Sequence, residues 1–299
     1  MCPKPFPPDA PWLVTGASGL LGSEMMRQAA GRAPLWGSYW TRKPAARPGV
    51  DYIRLDAGDE AAVQEVVQHL RPRVIIHTAY LKDGPDLRRI TAWGAGYLAR
   101  AAADIGARLV HVSSDVLLDG EHAPYDESAL PAPLHPYGQA KAEAEAAVRQ
   151  AAPDAAIVRT SLICRLNPPD PISAWIIESL RQRQPITLFT DEIRSPIWVQ
   201  DLAAALLELA ELPFNGVLNV AGPQPLSRYQ MGQRLARHAG LDPGGISAGS
   251  SLGSGLRRPR NCTLDVRLAQ RLLRVPLRSY DEGLACGAIT SPATASNDP

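Results

Sequence analysis

The chain has 299 residues, 45% of them hydrophobic, and a formal net charge of +1. That length suits one large α/β domain, or one such domain with a small appendage, and the apolar content is ample for a buried core. A charge so near zero excludes whole-protein attraction to nucleic acid or to an acidic membrane. The four cysteines, Cys2, Cys164, Cys262 and Cys286, are scattered, which favours free thiols in a reducing compartment over a disulfide framework or a zinc site. No apolar run at the start has signal-peptide length and no stretch approaches the ~18 residues of a membrane span, so the expectation is a soluble, cytoplasmic protein.

Residues 11–22, Pro-Trp-Leu-Val-Thr-Gly-Ala-Ser-Gly-Leu-Leu-Gly, organise the rest. Trp12, Leu13 and Val14 read as a short buried strand, and Leu20, Leu21, Met25 and Ala29 recur at helical spacing. Between them Gly16, Gly19 and Gly22 fall three apart. Such a turn brings bare backbone N–H groups and a helix N-terminus against a pyrophosphate. Gly16 permits the tight turn, Gly19 the approach of backbone to phosphate, and Gly22 the packing of helix on strand. Gly16, Ser18, Gly19, Leu20 and Leu21 are therefore the expected phosphate contacts. The spacing differs from the common Gly-x-Gly-x-x-Gly, and a ligand-free strand–helix turn stays open on these residues alone.

Leu35 to Trp40 is the second strand, followed by Thr41, Arg42 and Lys43. NAD-preferring folds carry an acid at this point, whereas a basic residue accommodates the 2′-phosphate of NADP. NADP(H) is thus the expected cofactor, with Arg42 and Lys43 as contacts and NAD(H) as the second option. Arg54-Leu55-Asp56 is a third short strand ending in a carboxylate, and Ala62, Val63, Val66, Val67 and Leu70 mark the helix after it. Val74 to Ala79 is the continuous apolar run of a central parallel strand, with His77 as a core histidine. Residues 90–105 make a helix, and Leu109 to Asp115 a strand ending in Ser113, Ser114 and Asp115. Alternating strand and helix predict a doubly wound, mostly parallel sheet with helices on both faces and ligands beyond the carboxyl ends of the strands. Asp56, Thr78, Ala79 and Tyr80 lie at such ends and join the cofactor candidates.

Tyr137 and Lys141 fall four apart in an Ala- and Glu-rich helical stretch running to about Gln150, so they share one helix face. An ammonium beside a phenol favours the phenolate and lowers its pKa from ~10, which makes a general acid or base near neutral pH. A half-buried surface pair is the bland alternative for these two residues alone.

With these motifs together, the chain resembles the extended short-chain dehydrogenase/reductases, and within them the dTDP-4-dehydrorhamnose reductase branch, over nearly all of residues 12–285. The likeness rests on Thr-Gly-Ala-Ser-Gly-Leu-Leu-Gly (15–22), Val-Ser-Ser-Asp-Val-Leu-Leu-Asp-Gly (112–120), Tyr125-x-Glu127 and Pro136-Tyr137-Gly138-x-x-Lys141. It continues through Val158-Arg159-Thr160-Ser161, Ser195-Pro196, Val199-x-Asp201-Leu202-Ala203 and Arg258-Pro259-Arg260-Asn261-x-x-Leu264-Asp265. The resemblance implies Tyr137 as catalytic acid, Lys141 as holder of the nicotinamide ribose, and Ser114 in the hydroxyl role. It also implies Asp115, Trp198 and Arg260 as substrate contacts, a nucleotide-sugar substrate, no metal, and room for a homodimer. Three positions depart from the branch. Ser114 stands where threonine is commoner, Thr91 where an asparagine supports the lysine, and the 81–86 stretch, Leu-Lys-Asp-Gly-Pro-Asp, replaces the usual loop.

Further on, Ile157 to Thr160 reads as a strand, 171–183 as a helix, Asp201 onward as a helix, Val217 to Val220 as the last strand and 227–239 as a helix. Gly244 to Gly255 reads as a flexible Gly/Ser loop, with Arg257, Arg258 and Arg260 after it able to grip a diphosphate. A solvated basic stretch fits the same three residues. The expected organisation is a Rossmann-type dinucleotide domain over 1–160 that also includes roughly 186–222, a small substrate lobe from 161–185 and 223–290, and a disordered 291–299 tail. The expected activity is NADP(H)-dependent reduction of a 4-keto nucleotide sugar. Its rivals are a non-catalytic regulatory subunit resembling that of methionine adenosyltransferase, which intact Tyr137 and Lys141 oppose, and an epimerase or dehydratase of the same superfamily. The missing acidic pair beside Ser114 weakens the dehydratase.

Overall fold

The computed structural model describes residues 6–7, 9–252, 255 and 257–287. Cys2 and the 291–299 tail lie outside the described residues. Six strands follow one another as β1 (Trp12–Thr15), β2 (Leu35–Tyr39), β3 (Val50–Arg54), β4 (Val74–His77), β5 (Arg108–Val112) and β6 (Ala156–Arg159). With the strand Gly216–Asn219 they form one seven-stranded sheet in the order 216–219, β6, β5, β4, β1, β2, β3, and every pairing is parallel. The winding reverses between β1 and β4, which makes their carboxyl ends the ligand crevice.

Helices cover both faces, because strands buried on both sides must be covered on both. α1 (Leu20–Ala29) and α6 (Val199–Glu211) pack on one face, where Val14, Met25, Ile76, Val110, Leu202 and Leu206 share a core. α2 (Glu60–Leu70), α3 (Gly94–Ile105) and α4 (Pro136–Ala151) pack on the other, around Leu13, Val67, Ile75, Leu98 and Val148. Local chemistry sets the ends: Asp59 caps α2 by accepting from the Ala62 N–H, and His135 caps α4 from the Gly138 N–H with Pro136 at the first position.

A separate core lies in the smaller lobe, built from α5 (Pro171–Arg181), α7 (Arg228–His238) and short strands. Here the expected boundaries shift. Ile186–Phe189 pairs in parallel with Ile246–Gly249, and Ile186, Leu188 and Ile246 bury into the lobe core. The expected flexible Gly244–Gly255 loop is therefore partly a strand: one buried isoleucine and a partner 60 residues away in sequence outweigh its Gly/Ser composition. Conversely, α8 (Arg267–Leu272) places Ala269 against the first core, with Leu273 and Leu277 behind it. The third strand also sits earlier than expected; Leu55 and Asp56 lie past its end, with the Leu55 N–H on the Tyr39 carbonyl at 2.8 Å. The 90–105 helix enters through a π-helical turn, Arg89–Trp93.

Candidate active site

At the crevice the glycine turn is fitted to the end of β4. Gly16 has φ +72°, and a Cβ there would stand 2.9 Å from the Ala79 backbone. A Cβ on Gly22 would stand 2.2 Å from the Gly16 carbonyl, so only glycine lets α1 close on the turn. Thr15 locks the two strand ends together: its Oγ1 accepts from the N–H groups of Thr78 (3.2 Å) and Ala79 (3.3 Å), and Thr78 Oγ1 donates to the Thr15 carbonyl at 2.6 Å. Gly19 is exposed at the start of α1, and no side chain caps that helix. The first-turn N–H groups of Leu20 and Leu21 have no partner within the helix and carry the positive end of its dipole. This cradle fits a dinucleotide pyrophosphate. Arg42 and Lys43 are exposed just past β2. At the same corner Arg54, not foreseen as a site residue, lies 4.4 Å over the ring of Trp40. Asp56 accepts from the Gly58 N–H at 2.9 Å and from Arg89 at 3.0 Å, so each of its oxygens already has one partner.

α4 carries the reactive groups, with Tyr137, Lys141 and Glu145 four apart on one face. Glu145 is fully buried and accepts from Ser113 Oγ (2.7 Å) and twice from Arg159 (3.0 and 2.9 Å), which pins α4 to the ends of β5 and β6. Lys141 is 4% exposed and donates to the Val112 carbonyl at 2.9 Å. Burial pulls its pKa down to about 8, against the restoring charge of Glu145. The Tyr137 ring lies between Tyr80 (centroids 5.6 Å, 38°) and His135 (6.3 Å, 6°). Burial first, then Tyr80 and Asp115, hold its pKa well above the ordinary tyrosine value, while Ser114 beside it pulls the other way. The expected lowering of the phenol by Lys141 is therefore not what these surroundings produce. The ammonium is engaged by Val112 and Tyr80, and loss of water around the phenol dominates. A phenol held protonated is the form a proton donor needs.

The three polar residues after β5 divide into three roles. Ser113 is buried on Glu145, and Asp115 is buried with its oxygens accepting from Ser161 Oγ (2.6 Å) and Ser114 Oγ (3.3 Å), near Arg194. Ser114 alone stands beside the phenol. Asp115 thus sits behind Ser114 rather than on an open face, and burial raises its pKa in spite of Arg194. Trp198 is also placed differently from the expectation. It is 3% exposed, stacks on Tyr280 (5.4 Å, 14°) and donates Nε1 to the Ser279 carbonyl at 3.1 Å, which makes it lobe core. Arg260 is bound to Glu121 by two bonds (3.2 and 2.6 Å). Arg258 is exposed, and after burial its charge comes first in lowering the pKa of His135, followed by Arg194 and Lys82. Lys82 comes from the unusual 81–86 stretch. Of Arg159, Glu145, His135 and Arg194, only Arg159 is named from sequence, within the stretch Val158 to Ser161. Missed are Glu145, which the four-residue spacing from Tyr137 and Lys141 could have found, His135, which caps the same helix, and Arg194, which meets the site through the fold. Among the described residues no group of three metal-ligating side chains occurs, and no helix is long and apolar enough to cross a membrane.

A doubly wound sheet with a glycine turn at its switch point, and a serine, tyrosine and lysine gathered at the next strand end, define the extended short-chain dehydrogenase/reductase class. The family described as "RmlD substrate binding domain" matches residues 11–288, and the chain belongs to it. It is 31% identical over 305 residues to a dTDP-4-dehydrorhamnose reductase of Mycobacterium tuberculosis, covering 95% of this chain and 94% of the relative. It is 29% identical over 301 residues to methionine adenosyltransferase 2 subunit beta of Pongo abelii, covering 91% and 86%. A crystal structure of a hypothetical dTDP-4-dehydrorhamnose reductase from Sulfolobus tokodaii superposes with a TM-score of 0.80 at 29% identity, covering 90% of this chain and 96% of that one.

Proposed function

We propose that the protein is an NADP(H)-dependent reductase of a 4-keto nucleotide sugar, similar to dTDP-4-dehydrorhamnose reductase. The observation that carries this reading is the meeting of Tyr137, a buried Lys141 one turn after it and Ser114 beside a glycine-turn helix start that no side chain caps. The bound cofactor supplies hydride to the ketone carbon. Ser114 donates a hydrogen bond to the ketone oxygen and stabilises the charge that develops there. Tyr137 gives that oxygen its proton, and Lys141 holds the cofactor ribose. Gly16, Ser18, Gly19, Leu20 and Leu21 hold the pyrophosphate, Thr78 and Ala79 line the crevice beside it, and Asp56 lies at the adjoining strand end. Arg42 and Lys43 favour NADP(H) over NAD(H). Arg258, with Arg257 and Lys82 nearby in the chain segments that border the site, serves the substrate diphosphate in the place first assigned to Arg260.

A second reading is a cofactor-binding regulatory subunit. Thr91 favours it, since its hydroxyl is bonded to the Leu81 N–H (2.9 Å) and carbonyl (2.8 Å) and does not serve Lys141. The discriminating experiment is a turnover screen with NADPH and NADH against a panel of 4-keto nucleotide sugars, run on the parent and Tyr137→Phe. The expected result is one substrate class reduced by the parent, with turnover lost and NADPH binding kept in the variant. Equal, negligible rates in both proteins on every sugar, with NADPH still bound, would replace the reductase reading with the regulatory one.

A further inference from the structure

Lys141 presents three N–H donors, and among the described residues its ammonium makes one hydrogen bond, to the Val112 carbonyl. The groups around it are His77 on β4, His111 on β5, Tyr80 past the end of β4 and, on its own helix, Glu145; Tyr137, one turn earlier on that helix, meets the ring of Tyr80. His77 and His111 are buried, and burial holds both neutral well below their ordinary pKa. Glu145 is already held by Ser113 and two arginines. The ammonium also lies over the ring of Tyr80, with its centroid 5.2 Å from Nζ. The same ring touches Tyr137 at 5.6 Å. A cation over an aromatic face is attracted by the ring quadrupole, more strongly where water is scarce.

The position of that ring is itself fixed. Tyr80 is 52% exposed, and a half-exposed tyrosine on a loop has many conformations open to it. The next residue, however, is bonded at both its backbone polar groups: Thr91 Oγ1 accepts from the Leu81 N–H and donates to the Leu81 carbonyl. Thr91 is 1% exposed and sits in the π-helical turn Arg89–Trp93, whose extra residue re-aims side chains locally. On the other side, the Ala79 N–H is held by Thr15. The loop is thus bonded on either side of Tyr80, leaving its ring over the ammonium.

We propose that Tyr80, held in place by Thr91 through Leu81, is the positioning residue for Lys141, keeping the ammonium oriented beside Tyr137 by its aromatic face. This rests on the reductase reading for the purpose of Lys141, but its geometry is testable without turnover. The full chain contains four lysines, Lys4, Lys43, Lys82 and Lys141, so ε-carbon-13 lysine NMR resolves each titration, with Lys141 assigned by the signal lost in Lys141→Arg. In Tyr80→Phe, which keeps the face and loses the hydroxyl, Lys141 should titrate as in the parent. In Tyr80→Leu, which keeps cover and loses the face, its midpoint should fall by roughly 0.5–1 unit. Thr91→Val should move it in the same direction by less, with circular dichroism confirming that each variant folds. An unmoved midpoint in Tyr80→Leu, an upward one, or an equal shift in Tyr80→Phe overturns the proposal. Since the titration uses neither cofactor nor sugar, a shift as expected with no turnover in the sugar screen would refute the reductase reading alone.

Discussion

Lys141, rather than Tyr137, is the group at this site that changes charge near physiological pH. Burial places the lysine at about 8 and holds the phenol protonated far above that. The lysine is charged below its pKa and neutral above it, so the reductive kcat/KM should be level below pH 8 and fall through it as the ammonium is lost. Measured from pH 6 to 10, a fall with its midpoint near 8 in the parent, absent in Lys141→Arg, identifies the group; a profile still level at pH 10 would remove Lys141 as the titrating group. In Tyr137→Phe the loss of general acid catalysis should lower kcat by ~10²–10⁴-fold while NADPH affinity stays unchanged. Cofactor choice is also decided by single side chains. Arg42→Ala with Lys43→Ala should weaken NADPH at least about tenfold, the effect of roughly 1.4 kcal/mol of lost ion pairing, and leave NADH unchanged. Fluorescence titration of both cofactors checks this, and an equal loss for both would remove the 2′-phosphate role.

The element that matters most is α4, and its register depends on Glu145 more than on its own helical preference. Replacing Glu145 by Gln leaves the Arg159 guanidinium, 1% exposed, without its counter-charge. Breaking one partner of such a buried pair costs about 3–5 kcal/mol, enough to lower Tm by roughly 5 °C or more in a chain of this size. Because Lys141 lies one turn before Glu145, the same variant should lose activity at temperatures where it is still folded. Denaturant unfolding and activity measured side by side test this; full activity with reduced stability would make Glu145 a stability residue only. At the glycine turn, Gly22→Ala should unfold the β1–α1 unit through its 2.2 Å clash with the Gly16 carbonyl, whereas the exposed Gly19 meets only that carbonyl, at 3.3 Å. Gly19→Val should therefore keep the fold and lose NADPH binding, which thermal melts and cofactor titration separate.

Across the whole molecule, two buried imidazoles set a limit on acid stability. His77 and His111 are register partners on β4 and β5, with ring centroids 5.3 Å apart. His77 shares a 2.7 Å hydrogen bond with Thr15 Oγ1, while neither ring nitrogen of His111 has a hydrogen-bond partner among the described residues. Burial takes the pKa of His77 to about 3 and that of His111 well below its usual value. Below pH ~6.5 the unfolded chain binds protons that the native histidines refuse, so stability is present above that pH and falls on acidification, by up to about 1.4 kcal/mol per pH unit for each imidazole. His111→Leu removes one of the two and an unpaired buried polar ring. It should be at least as stable as the parent at pH 7.5 and lose less stability between pH 6.5 and 4.5. Urea unfolding at both pH values measures the difference, and parallel losses in the two proteins would exclude His111 as a source of it.

The doubly wound sheet, the glycine turn and the Tyr137–Lys141 pair were legible in the sequence because each is written in contiguous residues. Apolar runs of strand length, glycines three apart and side chains four apart report local backbone geometry directly. What only the tertiary structure decided depends on neighbours distant in the chain. Trp198 is core rather than cleft because Tyr280 and Ser279 meet it, and Arg260 is taken by Glu121, 139 residues away. Ile246 to Gly249 becomes a strand because Ile186 to Phe189 lies beside it. The spacing of Tyr137 and Lys141 predicts a lowered phenol, and the structure raises it, since the distance between a lysine and a tyrosine on one helix says nothing of how much water surrounds them. Desolvation is a property of the packed molecule: it raises Tyr137 together with Tyr80 and Asp115, and it lowers Lys141 against the charge of Glu145.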